Sequence, residues 1–217
     1  MAHRHVVALT LALAAGALAR DRYASFAELA AATKEGEDWR VVERDGRTDL
    51  LVLAPHGGGI EAGTSELAVA VAGDDHALYV FEAVRAKDPD ELHVTSTRFD
   101  EPRCLARLRV AGRVLTLHGC QGDAPKALIG GRDEALGARV TAALTAIDVA
   151  TEAASGDLGG DARTNVANRG KSGAGVQVEL SRGLRAQLFA GLDRRGRTKP
   201  TPMFARFVAS LREAVAR

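Results

Sequence analysis

His56 and Glu61 are separated by three glycines and an isoleucine, a loop flexible enough to turn an imidazole and a carboxylate toward one point. A second imidazole, His118, ends the short apolar run Val114-Leu-Thr-Leu. Two histidines and one carboxylate are a common ligand set for a catalytic zinc ion, which keeps its fourth position for water. The spacing alone does not separate such a site from polar residues satisfied in loops. A catalytic metal also needs a base, and Glu179 in Val176-Gln-Val-Glu-Leu is the candidate. Strand alternation puts it on the face opposite Val176 and Val178, from where it would take a proton from metal-acidified water. A carboxylate among apolar neighbours is costly to bury unless paired, so a salt bridge to Arg182 or Arg185 is the competing account.

The loop Asn165-Val-Ala-Asn168-Arg169-Gly170-Lys171-Ser172 ends like a phosphate-binding loop, but that motif needs glycine where Asn165 stands, and the segment precedes a strand. Nucleotide binding is therefore rejected. Asn168, Arg169 and Lys171 are instead candidate carboxylate binders, since a guanidinium pairs bidentately with a carboxylate; a solvated turn is the alternative. No G-x-S-x-G motif is present, which speaks against a serine hydrolase of the α/β type. Cys104 and Cys120 lack the spacing of a structural zinc site, and whether they pair in a disulfide stays open.

The elements that must position these groups alternate. A helix is expected over 23–34, strands over 39–43 and 49–54, and a helix from Thr64 to Ala72 capped by Thr64 or Ser65. The run Asp49-Leu-Leu-Val-Leu-Ala is nearly continuous in apolar residues, as in a strand covered on both faces. Further strands are expected over 76–83, 92–99 and 114–118, and Gly130-Gly131 should open a helix over 132–151. A glycine- and asparagine-rich loop over 157–175 then leads to a strand over 176–180 and helices over 181–190 and 202–215. Strands alternating with helices, with no interdomain linker, argue a single α/β layered domain. In such sheets ligands gather beyond the carboxyl ends of the strands, where His56, Glu61 and His118 can meet.

The 217 residues are 46% hydrophobic and 26% charged, enough to bury a core and unlike a disordered or collagenous chain. Lysine plus arginine total 29 against 28 acidic residues, which leaves no basic footprint for nucleic acid. Residues 1–19 read as a secretory signal peptide, with a positive start, an apolar run and Ala17-Leu-Ala19 as the cleavage site. The run is shorter than the ~20 apolar residues of a membrane span, and no other segment resembles one. Cleavage removes one arginine and leaves 28 basic residues against 28 acidic, a net charge of zero. The expectation is a secreted or periplasmic monomer comprising residues 20–217, with no membrane contact after cleavage.

Five ordered blocks together resemble the poly-γ-glutamate hydrolase family of bacteria and their phages. They are His56-Gly-Gly-Gly-Ile-Glu61-Ala-Gly-Thr-Ser-Glu66, Leu92-His-Val-Thr-Ser-Thr-Arg-Phe-Asp-Glu-Pro102, Leu117-His118-Gly119, Gly130-Gly131-Arg132, and Asn168-Arg169-Gly170-Lys171-Ser172-Gly173 followed by Val176 to Arg185. The resemblance runs from about Tyr23 to about Phe189. It implies a single α/β domain with a mixed, mostly parallel sheet flanked by helices, similar to zinc carboxypeptidases, and cleavage of γ-amide bonds between glutamates. It puts the zinc ligands on His56, Glu61 and His118 and the general base on Glu179. Arg132, Asn168 and Arg169 are the candidates for gripping the carboxylates of an anionic γ-glutamyl polymer or peptide. Arg98 stands where the family's block often reads histidine, so no role is carried over to it. Two other readings remain: a zinc amidase or peptidase on γ-D-glutamyl bonds of peptidoglycan or small peptides, and a metal-free binding module retaining the fold.

Overall fold

The computed structural model describes residues 21–216; the segment read as a signal peptide lies outside them. Seven strands join in one mixed sheet among the described residues: β1 (Trp39–Arg44), β2 (Leu50–Gly58), β3 (Ala77–Ala83), β4 (Arg113–Cys120), β5 (Lys126–Gly131), β6 (Ala150–Ala153) and β7 (Val176–Ser181). Their order across the sheet is β1-β3-β2-β4-β7-β5-β6. Neighbours run parallel in β2–β3, β2–β4, β4–β7 and β5–β6, and antiparallel in β1–β3 and β5–β7. Since β2, β4 and β7 are mutually parallel, their carboxyl ends share one edge of the sheet.

Among the described residues six α-helices cover the two faces: α1 (Phe26–Ala32), α2 (Thr64–Ala72), α3 (Pro102–Val110), α4 (Glu134–Thr145), α5 (Arg182–Leu188) and α6 (Pro202–Val215). Strand alternation decides which face each residue serves. Leu50, Val52, Leu115, Leu117, Val176 and Val178 pack in one core with residues of α2, α4, α5 and α6. Leu51, Leu53, Tyr79, Phe81 and Val114 pack in a second core with α1, α3 and Phe99. All nine residues of β2 are buried, as its near-continuous apolar run requires of a strand covered on both sides.

Three expectations change. The β-branched stretch 92–99 forms no strand: a 3₁₀ turn at Pro89–Leu92 leads into irregular chain. Its backbone groups bond to side chains and loops, with Thr95 N–H donating to Asp21 and Ser96 C=O accepting from Val166 N–H. The 132–151 segment is a shorter helix, α4, followed by strand β6, and Gly130-Gly131 close strand β5 ahead of it. Pro102 opens α3 at its first turn, with the Glu101 side chain accepting from Cys104 N–H as the cap. Cys104 therefore lies on a helix, and both cysteines are free thiols.

Candidate metal centre

His56 emerges near the end of β2, where the chain turns sharply. Gly58 takes a left-handed φ of 66°, and a Cβ there would lie 2.2 Å from the Ala83 carbonyl oxygen. The turn closes when Glu61 N–H donates to the His56 carbonyl at 2.9 Å and Thr64 Oγ1 donates to the Glu61 carbonyl at 2.9 Å. Glu61 is thereby folded back beside His56, its Oε1 3.0 Å from His56 Nδ1. His118 near the end of β4 completes the group, its Nδ1 3.1 Å from His56 Nδ1 and 3.5 Å from Glu61 Oε2. One ligand atom from each of the three lies within 4.8 Å of the others.

The hydrogen bonding of His56 leaves a ligand atom facing the cluster. His56 Nε2 lies 2.8 Å from the Val94 carbonyl, which can only accept, so Nε2 carries the hydrogen and Nδ1 keeps its lone pair. That lone pair faces a carboxylate oxygen and another imidazole nitrogen, an arrangement that is repulsive unless a proton or a cation lies between them. A tetrahedral ion bound at about 2.0–2.1 Å would hold two ligand atoms about 3.3 Å apart, close to the observed spacings. The residues present therefore fit a small divalent metal, and the Val94 carbonyl is the outer partner that orients His56.

Electrostatics sorts the groups. Burial and the neighbouring His93 push His56 down to about 4, so it is neutral at physiological pH. Burial opposes ionisation of Glu61, yet His56 and His118 hold its carboxyl well below the usual range. Burial also opposes the charge on His118, but the Glu61 carboxylate raises it. Glu179 lies beside this group because β4 and β7 pair His118 with Glu179 in register. Burial pushes Glu179 up to about 7 against the attraction of His118, with the Glu61 charge raising it further. The salt bridge weighed for Glu179 is absent: Arg182 faces Asp123, and Arg185 bonds three backbone carbonyls. Its partner is neutral instead, since Gln177 Nε2 donates to Glu179 Oε1 at 3.0 Å. Gln177 is held in turn by Asn165 Nδ2 and the Leu158 carbonyl.

The substrate candidates bond to backbone groups rather than to the cluster. Asn168 is buried and spends both amide hydrogens on the Gly160 and Ala162 carbonyls, while its Oδ1 accepts from Gly175 N–H. Its side chain ties the 157–175 loop to the start of β7. Arg132 follows β5, whose last residue Gly131 pairs with Val176, three residues before Glu179 on β7. Its guanidinium reaches the Asp161 carbonyl. Arg169 donates to the Phe99 carbonyl.

His93 was not singled out from the sequence, yet its ring stacks on His56 with centroids 4.0 Å apart, and its Nε2 lies 3.9 Å from Glu61 Oε1. Asp21 fixes it, with one carboxylate oxygen 2.6 Å from His93 Nδ1 and the other accepting from Thr95 N–H and Arg98 Nη2. The resemblance block contained His93, but the strand expected over 92–99 hid its direction.

A mixed sheet carrying two histidines, a carboxylate and a buried glutamate at the ends of adjacent parallel strands defines a class: α/β proteins built around a candidate hydrolytic metal site. Comparison with known sequences makes this specific, for the chain belongs to the poly-gamma-glutamate hydrolase family, whose profile matches residues 23–210. Among curated relatives, the SPbeta prophage-derived protein YoqZ of Bacillus subtilis (strain 168) is 38% identical over 177 residues. That alignment covers 79% of this chain and 63% of YoqZ, so the chain spans less than two thirds of that relative. YndL of the same organism is 35% identical over 79% of this chain and 68% of its own length. A bacteriophage poly-gamma-glutamate hydrolase structure superposes with a TM-score of 0.87 at 30% identity, covering 90% of this chain and 97% of that one. A zinc-free form of YndL gives 0.86 at 32% identity, covering 91% and 98%.

Proposed function

We propose that this chain is a zinc-dependent hydrolase of γ-glutamyl amide bonds acting on poly-γ-glutamate. The observation that carries the reading is the meeting of His56, Glu61 and His118 beside the buried Glu179. Family membership and the likeness to the bacteriophage hydrolase support the substrate class. The existence of a zinc-free form of YndL, together with the donor set here, supports zinc.

His56 Nδ1, Glu61 and His118 Nδ1 would hold the ion, which when bound supplies Lewis acidity that polarises an amide carbonyl and acidifies water. Glu179 then handles the proton. Gln177 Nε2 occupies Oε1, so Oε2 is the atom left to accept a proton from water and return it to the departing amine. A carboxyl raised by burial toward neutrality suits both transfers. At the mouth, His93 and Arg98 share the Asp21 carboxylate and keep 33% and 49% of their side-chain surface exposed. A basic pair at that position suits a substrate with a free α-carboxylate on every residue. Residues 1–19 would direct export, so the polymer would be met outside the cytoplasm.

The test is the zinc content of the purified protein and the size distribution of poly-γ-glutamate after incubation, for wild type and Glu179→Gln. One zinc per chain, shortened polymer, and a folded, zinc-loaded but inactive variant are expected. Zinc without shortening would redirect the search to γ-D-glutamyl peptides, and absence of zinc would overturn the proposal.

A further inference from the structure

The proposed chemistry leaves one buried cation unexplained. Arg185 on α5 is only 6% exposed, and all its hydrogen bonds go to backbone carbonyls. Nε donates to Leu180 at 3.1 Å, Nη1 to Ala62 at 2.9 Å and Nη2 to Cys120 at 3.0 Å. Burying a guanidinium without a carboxylate partner is costly, so its placement needs a reason.

The three carbonyls supply it. Ala62 follows Glu61, Leu180 follows Glu179, and Cys120 lies two residues past His118. One planar fork therefore grips the chain next to two proposed metal ligands and the proposed base. The sheet holds two of these segments together, since β4 and β7 pair from His118–Glu179 to Cys120–Ser181, but it does not hold the third, which carries Glu61. The β2–β4 ladder runs from Leu50–Arg113 to Leu53–Thr116 and stops, so His56 and His118 lie beyond the last residues that these two strands pair. On its other side β2 loses register with β3 between Ala54 and Gly57. The strand ends are splayed where the site opens, and the guanidinium bridges the gap.

Gly119 brings the fork close. A Cβ on Gly119 would lie 2.7 Å from Arg185 Cζ, so only glycine lets the guanidinium rest against this peptide. The same residue's N–H donates to Glu61 Oε2 at 2.8 Å. Guanidinium, Gly119 peptide and Glu61 carboxylate are thus layered behind the cluster.

We infer that Arg185 is the positioning residue of the metal centre: it ties the chain segment that carries Glu61 to the paired strands that carry His118 and Glu179. Its hydrogen bonds all go to the backbone. Lysine cannot replace it, because a single ammonium on a flexible stem does not reproduce a rigid fork aimed at three carbonyls. The inference rests on the zinc reading above.

The test uses the full chain with Arg185→Lys and Arg185→Ala, zinc affinity being measured by competition with a chromophoric chelator and folding by thermal unfolding of the zinc-free proteins. Arg185→Lys should remain folded and bind zinc about 10–100-fold more weakly, the usual effect of losing an outer-shell support. Guanidinium ion at about 20 mM, far below denaturing concentrations, should restore part of the zinc affinity of Arg185→Ala, while equal sodium or methylammonium chloride should not. A lysine variant within threefold of wild type, or an alanine variant indifferent to guanidinium, overturns the inference. Failure of both variants to fold also overturns it, by making Arg185 a support of the whole domain. Wild-type protein that binds no zinc defeats the zinc reading itself, an outcome distinct from equal affinities in wild type and lysine variant.

Discussion

Glu179→Gln should stabilise the zinc-free protein, by an amount that grows with pH. The substitution keeps the shape of the side chain and leaves an Oε1 acceptor for Gln177 while removing the ionisable group. Glu179 is 4% exposed, and burial raises its pKa from 4.5 to about 7. The folded state therefore holds this proton more tightly than the unfolded chain does. The stability linked to it is fully present below pH 4.5 and is lost as pH rises to about 7. At about 1.36 kcal/mol per unit the loss reaches about 3 kcal/mol and then stays constant. For a chain of this size each kcal/mol moves the melting temperature by roughly 2–4 °C, so wild type should melt about 6–12 °C below the variant at pH 8.5. Differential scanning calorimetry in chelator from pH 4 to 9 measures the gap, which should close toward pH 4. Equal melting temperatures at pH 8.5 would refute the reasoning, since an ionised Glu179 would then carry no penalty and would not be a base poised near neutrality.

Zinc removal should destabilise the protein through the same residues: free zinc at a hundred times its dissociation constant adds about 2.7 kcal/mol. Thermal scans with zinc or chelator should show this difference in wild type and its loss in His118→Ala. Asn168→Ala should lower stability by about 2–4 kcal/mol, because the Gly160 and Ala162 carbonyls and the Gly175 N–H lose a buried partner. Urea unfolding with parallel zinc titration checks that zinc affinity stays unchanged; a variant of full stability with weakened substrate binding would make Asn168 a substrate contact after all.

The sequence made legible what rests on strong local periodicity. The apolar run at 49–54 identified a strand buried on both faces, and alternation around Glu179 placed it opposite Val176 and Val178, which pack in the core under α4, α5 and α6. The glycines after His56 marked the turn that returns Glu61 to it. What stayed hidden depends on tertiary bonds. Val94 and Thr95 have the composition of a strand, yet the Val94 carbonyl serves His56 and the Thr95 N–H serves Asp21. Lys126–Gly131 is too short and too glycine-rich to announce a strand, although it pairs with β7 on one side and β6 on the other. Arg185 looked like a salt-bridge partner for Glu179 because charge suggests charge. Its carbonyl partners come from three segments far apart in the chain, and no spacing rule reports them.

The division of labour between the two site carboxylates follows from their neighbours. Glu61 lies against His118 and accepts from the Gly119 N–H, both of which favour the charged form, so it remains an anion available to a metal. Glu179 lies on the same edge of the sheet but faces a neutral amide and is buried, so its proton is held loosely enough to exchange near neutral pH. Exchanging these environments would exchange the roles, since a carboxylate stabilised by a histidine and a peptide N–H is a poor base and one that protonates near pH 7 is a poor permanent ligand. The splayed ends of β2 and β4 are what permit both environments within one short register, because a continued ladder would fill with paired backbone the space where the side chains converge.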